Sequence, residues 1–236
     1  METPPTARRR RLLTLDEIVD AALSIADRDG LDAATMRRLS TDLGVGTMTL
    51  YHYVADKNRL EELIFDRVMG EVLLANELPP GWRDALSEIA RHTRDAFLRH
   101  PWVADAFGRR RYVTPNMLRH VDQTNAAIEG LDAPRDTAWT IVGALDDYAL
   151  GHALREIMRR RWTAEGPTEG RLAAEVEELL ESGELPYVTR NFAAGPPPGH
   201  RDDFERGLKW LLDGIEQELA HARPCDSHPD RASNDR

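Results

Sequence analysis

Along almost the whole chain, apolar residues return every three or four positions, and nowhere do β-branched residues alternate with polar ones over a strand's length. A chain with that periodicity buries one face of a helix turn after turn and has no face to offer a sheet. The expectation is an all-α fold of about nine to ten helices. The first opens at Thr14-Leu15-Asp16-Glu17, a capping box in which the Thr hydroxyl takes one orphan N–H and Glu17 reaches back to another. Leu15, Ile18, Val19, Ala22, Ile25 and Ala26 form its apolar stripe, and Gly30 stops it. Short helices follow over about Thr35–Leu43 and Gly46–Tyr53, parted by Gly44-Val45, and then one from the N-cap Asp56 to about Leu74. After Leu78-Pro79-Pro80-Gly81 the helices lengthen: Trp82–Arg99, Pro101–Arg110, Pro115–Glu129, Pro134–Trp162, Glu169–Ser182 and Asp202–His221. Several carry proline at or near the first turn, where a missing N–H costs nothing. Thr163–Gly170 and Tyr187–His200 read as loose connections, and both chain ends as disordered.

At 236 residues and 41% apolar, the chain has ample material for a core, yet no run approaches the ~18 apolar residues of a membrane span. METPPTARRRRLL is basic but lacks the apolar stretch and small-residue cleavage site of a secretory signal. The single cysteine, Cys225, excludes a disulfide framework and a Cys-based zinc site; no metal or cofactor is expected, and a cytoplasmic location fits. The net charge of −10 is unevenly spread: residues 1–60 hold nine Lys/Arg against nine Asp/Glu, so the rest of the chain carries the whole excess. Only the head can approach a polyanion.

One stretch in that head is odd. GVGTMTLYHYVADKNRL, Gly44 to Leu60, crowds Tyr51, His52 and Tyr53 into a polar segment. A core would want such residues apolar, and a loop would want them small. Three short helices with a break between the second and third describe a helix-turn-helix, whose last helix anchors by its inner face and meets DNA by its outer one. Leu50 supplies the anchor against Leu39, Leu43 and Val45. Short hydroxyls and a flexible Met around it suit base edges and the thymine methyl, while Tyr and His tips reach phosphate oxygens. Arg8 to Arg11, ahead of the first helix, form a basic arm that either reaches an adjacent groove or stays a solvated run.

ATMRRLSTDLGVGTMTLYHYVADKNRLEEL resembles the DNA-binding head of the tetracycline-repressor (TetR) family of bacterial transcription regulators. Leu39, Leu43-Gly44-Val45, Thr49-Leu50-Tyr51, Tyr53 and Asp56-Lys57 carry the likeness. The resemblance implies a flexible arm over 1–11, a DNA-binding domain over 12–60, a ligand-binding and dimerisation body over 61–221 and a tail over 222–236. It implies that Arg37 reaches DNA, that Thr47, Met48 and Thr49 face bases, and that Tyr51, His52, Tyr53 and Lys57 hold the backbone. Gly46 stands where the family often has serine, leaving only a backbone N–H for phosphate, and Met48 replaces a usually small residue. The implied function is a ligand-responsive repressor that binds palindromic double-stranded operator DNA as a homodimer and is released by a small-molecule effector.

In the body, Leu208, Leu211, Leu212, Ile215 and Leu219 share one side of the last helix, with Gly207 and Gly214 where another backbone can come close. Helix Pro134–Trp162 is apolar nearly all round, so it must be covered on more than one face. Either these two helices meet a second copy or they complete a monomer core. Trp82, His92, Phe97, Trp102, Asn116, Met117, His120, Gln123 and Trp139 mix rings with polar groups as an amphipathic ligand cavity does. Asp146 and His152 interrupt a buried helix and need partners. For each of these, a satisfied place in the core or an interface is the alternative. The competing class, an all-helical enzyme, finds no Gly-rich phosphate loop, nucleophile elbow, His-Glu-x-x-His or Cys–His pair, so no catalytic residue is expected.

Overall fold

The computed structural model describes residues 13–107, 113–131, 133–165, 171–193 and 200–222. Among them are eleven α-helices and no strand: α1 (Leu15–Asp29), α2 (Met36–Leu43), α3 (Thr47–Tyr51), α4 (Lys57–Val72), α5 (Trp82–Arg99), α6 (Val103–Phe107), α7 (Pro115–Ile128), α8 (Arg135–Glu165), α9 (Arg171–Glu181), α10 (Pro186–Ala193) and α11 (His200–Ala222). The capping box at Thr14 is present on both sides, with Glu17 N–H donating to Thr14 Oγ1 at 3.2 Å and Thr14 N–H to Glu17 Oε2 at 3.0 Å. Gly30, at φ 88°, turns the chain into a single 3-10 turn, Leu31–Ala33, that tucks Leu31 into the core.

The segment Tyr187–His200, expected to be loose, is helical over Pro186–Ala193. Pro186 starts that helix, its fixed φ being suited to a first turn. The GPPPG run, the Arg8–Arg11 arm, Arg110, Cys225 and the tail after Ala222 lie outside the described residues. α8 runs three residues past Trp162, to Glu165.

Two apolar clusters hold the chain together. One joins α1 to α4 around Ile18, Ile25, Leu39, Leu50, Leu60 and Ile64, and continues into Phe97, Trp102, Val103, Ala106 and Ala153. The head therefore shares its core with α5, α6 and α8, and α4 crosses the expected 60/61 boundary without a break. The second cluster packs Leu86, Ile89, Leu145, Phe204, Leu208 and Leu212 where α5, α8 and α11 meet. α8 touches α5, α7 and α11, as a helix apolar on most sides requires.

The stripe of α11 expected at a dimer seam faces inward instead. Leu208, Leu212 and Ile215 are buried in the protomer's own core, and only Leu211 and Leu219 remain partly open. Gly207 likewise admits a neighbour from the same chain: the Tyr148 hydroxyl donates to the Phe204 carbonyl at 2.7 Å, and a Cβ on Gly207 would lie 3.1 Å from the Tyr148 ring. Gly207→Ala must push that ring off α11, so a loss of about 1–3 kcal/mol is expected, read as a lower denaturation midpoint. Gly214→Ala meets nothing within 4 Å and should raise the midpoint of the isolated fold slightly, by the helix propensity gained, about 0.5–1 kcal/mol.

Candidate nucleic-acid interface

Thr35 caps α2 by accepting from Arg38 N–H at 3.2 Å. Gly44 ends the helix in the left-handed region, φ 64° and ψ 33°, and Val45 N–H returns to the Ser40 carbonyl at 3.0 Å. That αL residue turns the chain so that α3 crosses back over α2. Gly44→Ala forces a Cβ into this conformation and should cost about 1–2 kcal/mol, with Gly44→Asn milder, by thermal melting. No side chain caps α3, because Gly46 has none to offer.

α3 then divides cleanly. Leu50 is fully buried and plugs into the head core beside Leu39, with Leu43 and Val45 packed at the edge. Around it Gly46, Thr47, Thr49 and His52 are exposed, with Met48 at 70%, Tyr51 at 46% and Tyr53 at 40%. Exposed apolar rings and a bare Met on one small face are what a partner surface, not a core, would carry. Arg37, exposed on α2, makes no ion pair among the described residues, whereas Arg38 is held by Asp42 (3.3 Å) and Asp29 (3.5 Å) and Arg59 by Glu62 (3.0 Å). Lys57 is not idle: its Nζ lies 3.6 Å from Asp32 and 3.5 Å from Glu61. The Asp32 pair is exposed and holds by about 0–1 kcal/mol, so a phosphate can take Lys57 from it, while Glu61, 13% exposed, keeps its place beneath. Asp56 caps α4, accepting from Arg59 N–H at 2.8 Å, which leaves a carboxylate beside the helix end expected to attract phosphate.

The body residues singled out in the sequence scatter. Phe97 and Trp102 are core, and the Trp102 indole N–H donates to Asp27 at 2.8 Å. Asn116 pegs α7 to α4 through both carboxylate oxygens and the carbonyl of Asp66, Met117 packs against the first cluster, and Gln123 bridges the N–H and C=O of Leu74 at 3.0 and 3.1 Å. His92 and Trp139 face outward. Trp82 lines a cleft of about 330 Å³ with Leu78, Gly130 and Leu131. His152 lies edge-on to Phe204 at 5.1 Å. One pair does come together: His120 Nε2 stands 2.9 Å from Asp146 Oδ1, while its buried Nδ1 has no hydrogen-bond partner.

Other features escaped the sequence. Arg94 lies 2.7 Å from Glu156 in the body interior and 5.1 Å over the Phe204 ring. Burial pushes the Glu156 carboxyl up, but Arg160 and Arg94 outweigh it and hold the group below the usual carboxylate range. On the outer side of α8, Trp139, Gly143, Asp147, Gly151, Arg155, Met158 and Trp162 form one exposed stripe. Beside it Trp210 of α11, 67% exposed, lies between two grooves, one of about 930 Å³ with Met158 and Trp162, the other of about 340 Å³ with Ile141 and Gly214. The signal was present: Met158 and Trp162 stand four apart, as do Trp210 and Gly214, off the stripes that fill the core.

Residues 76–219, more than half of the chain, match the family described as tetracyclin repressor-like, C-terminal domain. The HTH-type transcriptional repressor DrrR1 of Streptomyces coeruleorubidus is 30% identical over 93% of this chain and 83% of its own length. An HTH-type transcriptional regulator of Saccharopolyspora erythraea is 31% identical over 89% and 87%. Among solved structures, the Streptomyces coelicolor TetR family protein ActR in complex with actinorhodin superposes with a TM-score of 0.69 at 29% identity, covering 89% of this chain and 99% of that one. The chain belongs to the tetracycline-repressor family of helix-turn-helix transcriptional regulators.

Proposed function

We propose that the protein is a dimeric, ligand-responsive repressor that reads operator DNA with the outer face of α3. The observation that carries this reading is the contrast within that helix: Leu50 sealed in the core, and Thr47, Met48, Thr49, Tyr51, His52 and Tyr53 all turned to solvent around it. Arg37 and Lys57 flank the face and, with the Gly46 N–H, supply phosphate contacts. The protein would act in the cytoplasm, where its operator is.

One α3 reads half a site, so two copies are needed about one helical turn of DNA apart. The exposed stripe of α8 and the Trp210 side of α11 support a seam there, since Gly143, Gly151 and Gly214 leave room for a second helix and Trp139, Met158, Trp162 and Trp210 would bury against it. Inside the body, the unpaired Nδ1 of His120 beside Asp146 supports a place for an effector's hydroxyl or amide. ActR's complex with actinorhodin favours a small molecule in that role.

Gel-shift titration of the purified protein against the DNA upstream of its own gene tests the reading. A specific complex is expected, weakened roughly 5–150-fold by an effector that binds the two conformations unequally. Binding no tighter to that DNA than to random DNA would contradict it.

A further inference from the structure

A polar cluster at the junction of head and body has no part in reading DNA. Asp27, near the end of α1, accepts from Trp102 Nε1 at 2.8 Å and lies 2.7 Å from His100 Nδ1. The other ring nitrogen of His100 is buried, lies 3.2 Å from Glu71 Oε2 on α4, and makes no aligned hydrogen bond. Arg99 donates to the same Glu71 oxygen at 2.8 Å. Arg161, arriving from α8, reaches the Pro101 carbonyl at 3.1 Å and Asp105 at 2.9 Å. The imidazole is thus set between carboxylates of two helices, one in the head and one that runs from head to body.

A neutral imidazole has a single N–H. Given to Asp27, it leaves an unprotonated Nε2 3.2 Å from a carboxylate oxygen, an electron-rich pair in near contact. A second proton turns that contact into an ion pair. The Glu71 charge stays in place meanwhile: burial pushes its carboxyl up, but Arg99, together with His100 while that ring is charged, outweighs this and holds it below the usual range. Glu71 is therefore ionised throughout the interval, about pH 5 to 8, in which imidazoles change charge.

We propose that His100 is a proton-operated positioning residue that clamps the head to the body, tying Asp27 and Glu71 at once when charged and Asp27 alone when neutral. The proposal rests on the head being the DNA-reading part, and it makes the movement of the head, and so the response to an effector, dependent on pH. Neither Asp27, Glu71 nor His100 touches the face of α3.

Hydrogen–deuterium exchange on the full-length protein, corrected for intrinsic rates, tests it at about pH 6 and about pH 8. In the wild type, residues 24–31 and 68–74 should exchange roughly 3–10-fold more slowly at the lower pH, the scale of one partly compensated charged bond. The pH difference should vanish in His100→Gln and shrink in Glu71→Gln, the second variant keeping the imidazole and its bond to Asp27. No pH difference in the wild type would overturn the clamp. So would a difference that survives in His100→Gln, or one left undiminished in Glu71→Gln. Gel shifts on the same samples keep the two readings apart: failure to bind DNA at either pH removes the DNA-reading role, while the exchange data still decide the clamp.

Discussion

Changing Thr49 and Tyr51 together to alanine abolishes operator binding, by about 100-fold or more, and leaves the melting temperature and the dimer nearly as they were. Both side chains are exposed, Tyr51 at 46%. Surface substitutions of this kind stay within about 0.5 kcal/mol of wild-type stability. Each lost contact to a base or phosphate removes on the order of 1–3 kcal/mol of binding, and a two-fold dimer loses every contact twice. The contrast with the residue between them sharpens the test. Leu50 is fully buried, so Leu50→Ala should cost about 2–5 kcal/mol of stability and lose binding only because the head loosens. Gel shift and thermal melting on the same samples distinguish the two. A Thr49/Tyr51 variant that binds as well as wild type would remove α3 from the interface.

Met158→Glu with Trp210→Glu separates the two copies. These residues are 47% and 67% exposed and face the same groove, so the protomer keeps its own core while the seam gains buried, unpaired charge. Joining two half-site readers raises affinity by about 10²–10⁴ over one, and the monomeric variant should lose that factor for a palindromic operator. Sedimentation at matched concentration gives the oligomeric state, and a gel shift gives the affinity. A variant that still sediments as a dimer would move the seam elsewhere. Leu208→Ala, by comparison, should destabilise the protomer, since Leu208 packs in its own core.

The elements of this fold were legible because their signals are local. The Thr14 box, the Asp56 cap and the Gly44 turn are each written within four residues, and each is found in place. α10 was not legible, because the nearby GPPPG run outweighed a short helix opened by Pro186. Sidedness was harder than existence. Periodicity shows that Leu208, Leu212 and Ile215 share a face, but not that α5 and α8 of the same chain cover it. The outer face of α3 could be read because Leu50 alone among its neighbours suits a core. In the body, aromatic residues looked alike whether they end in the core, as Phe97 and Trp102 do, or on the surface, as Trp139 and Trp210 do. His100 gave no signal at all, since Asp27 lies 73 positions away and only the packing of α1 against the end of α5 brings them together.

Photocrosslinking from a reactive side chain at position 48 to the operator is the most direct measurement of what α3 does. Met48 is more exposed than Tyr51 or Tyr53 on that face, at 70%. Crosslinks to major-groove base positions in two half-sites about one helical turn apart are expected. An operator that binds the labelled protein fully, yet crosslinks to none of its bases from position 48, would contradict base reading by α3.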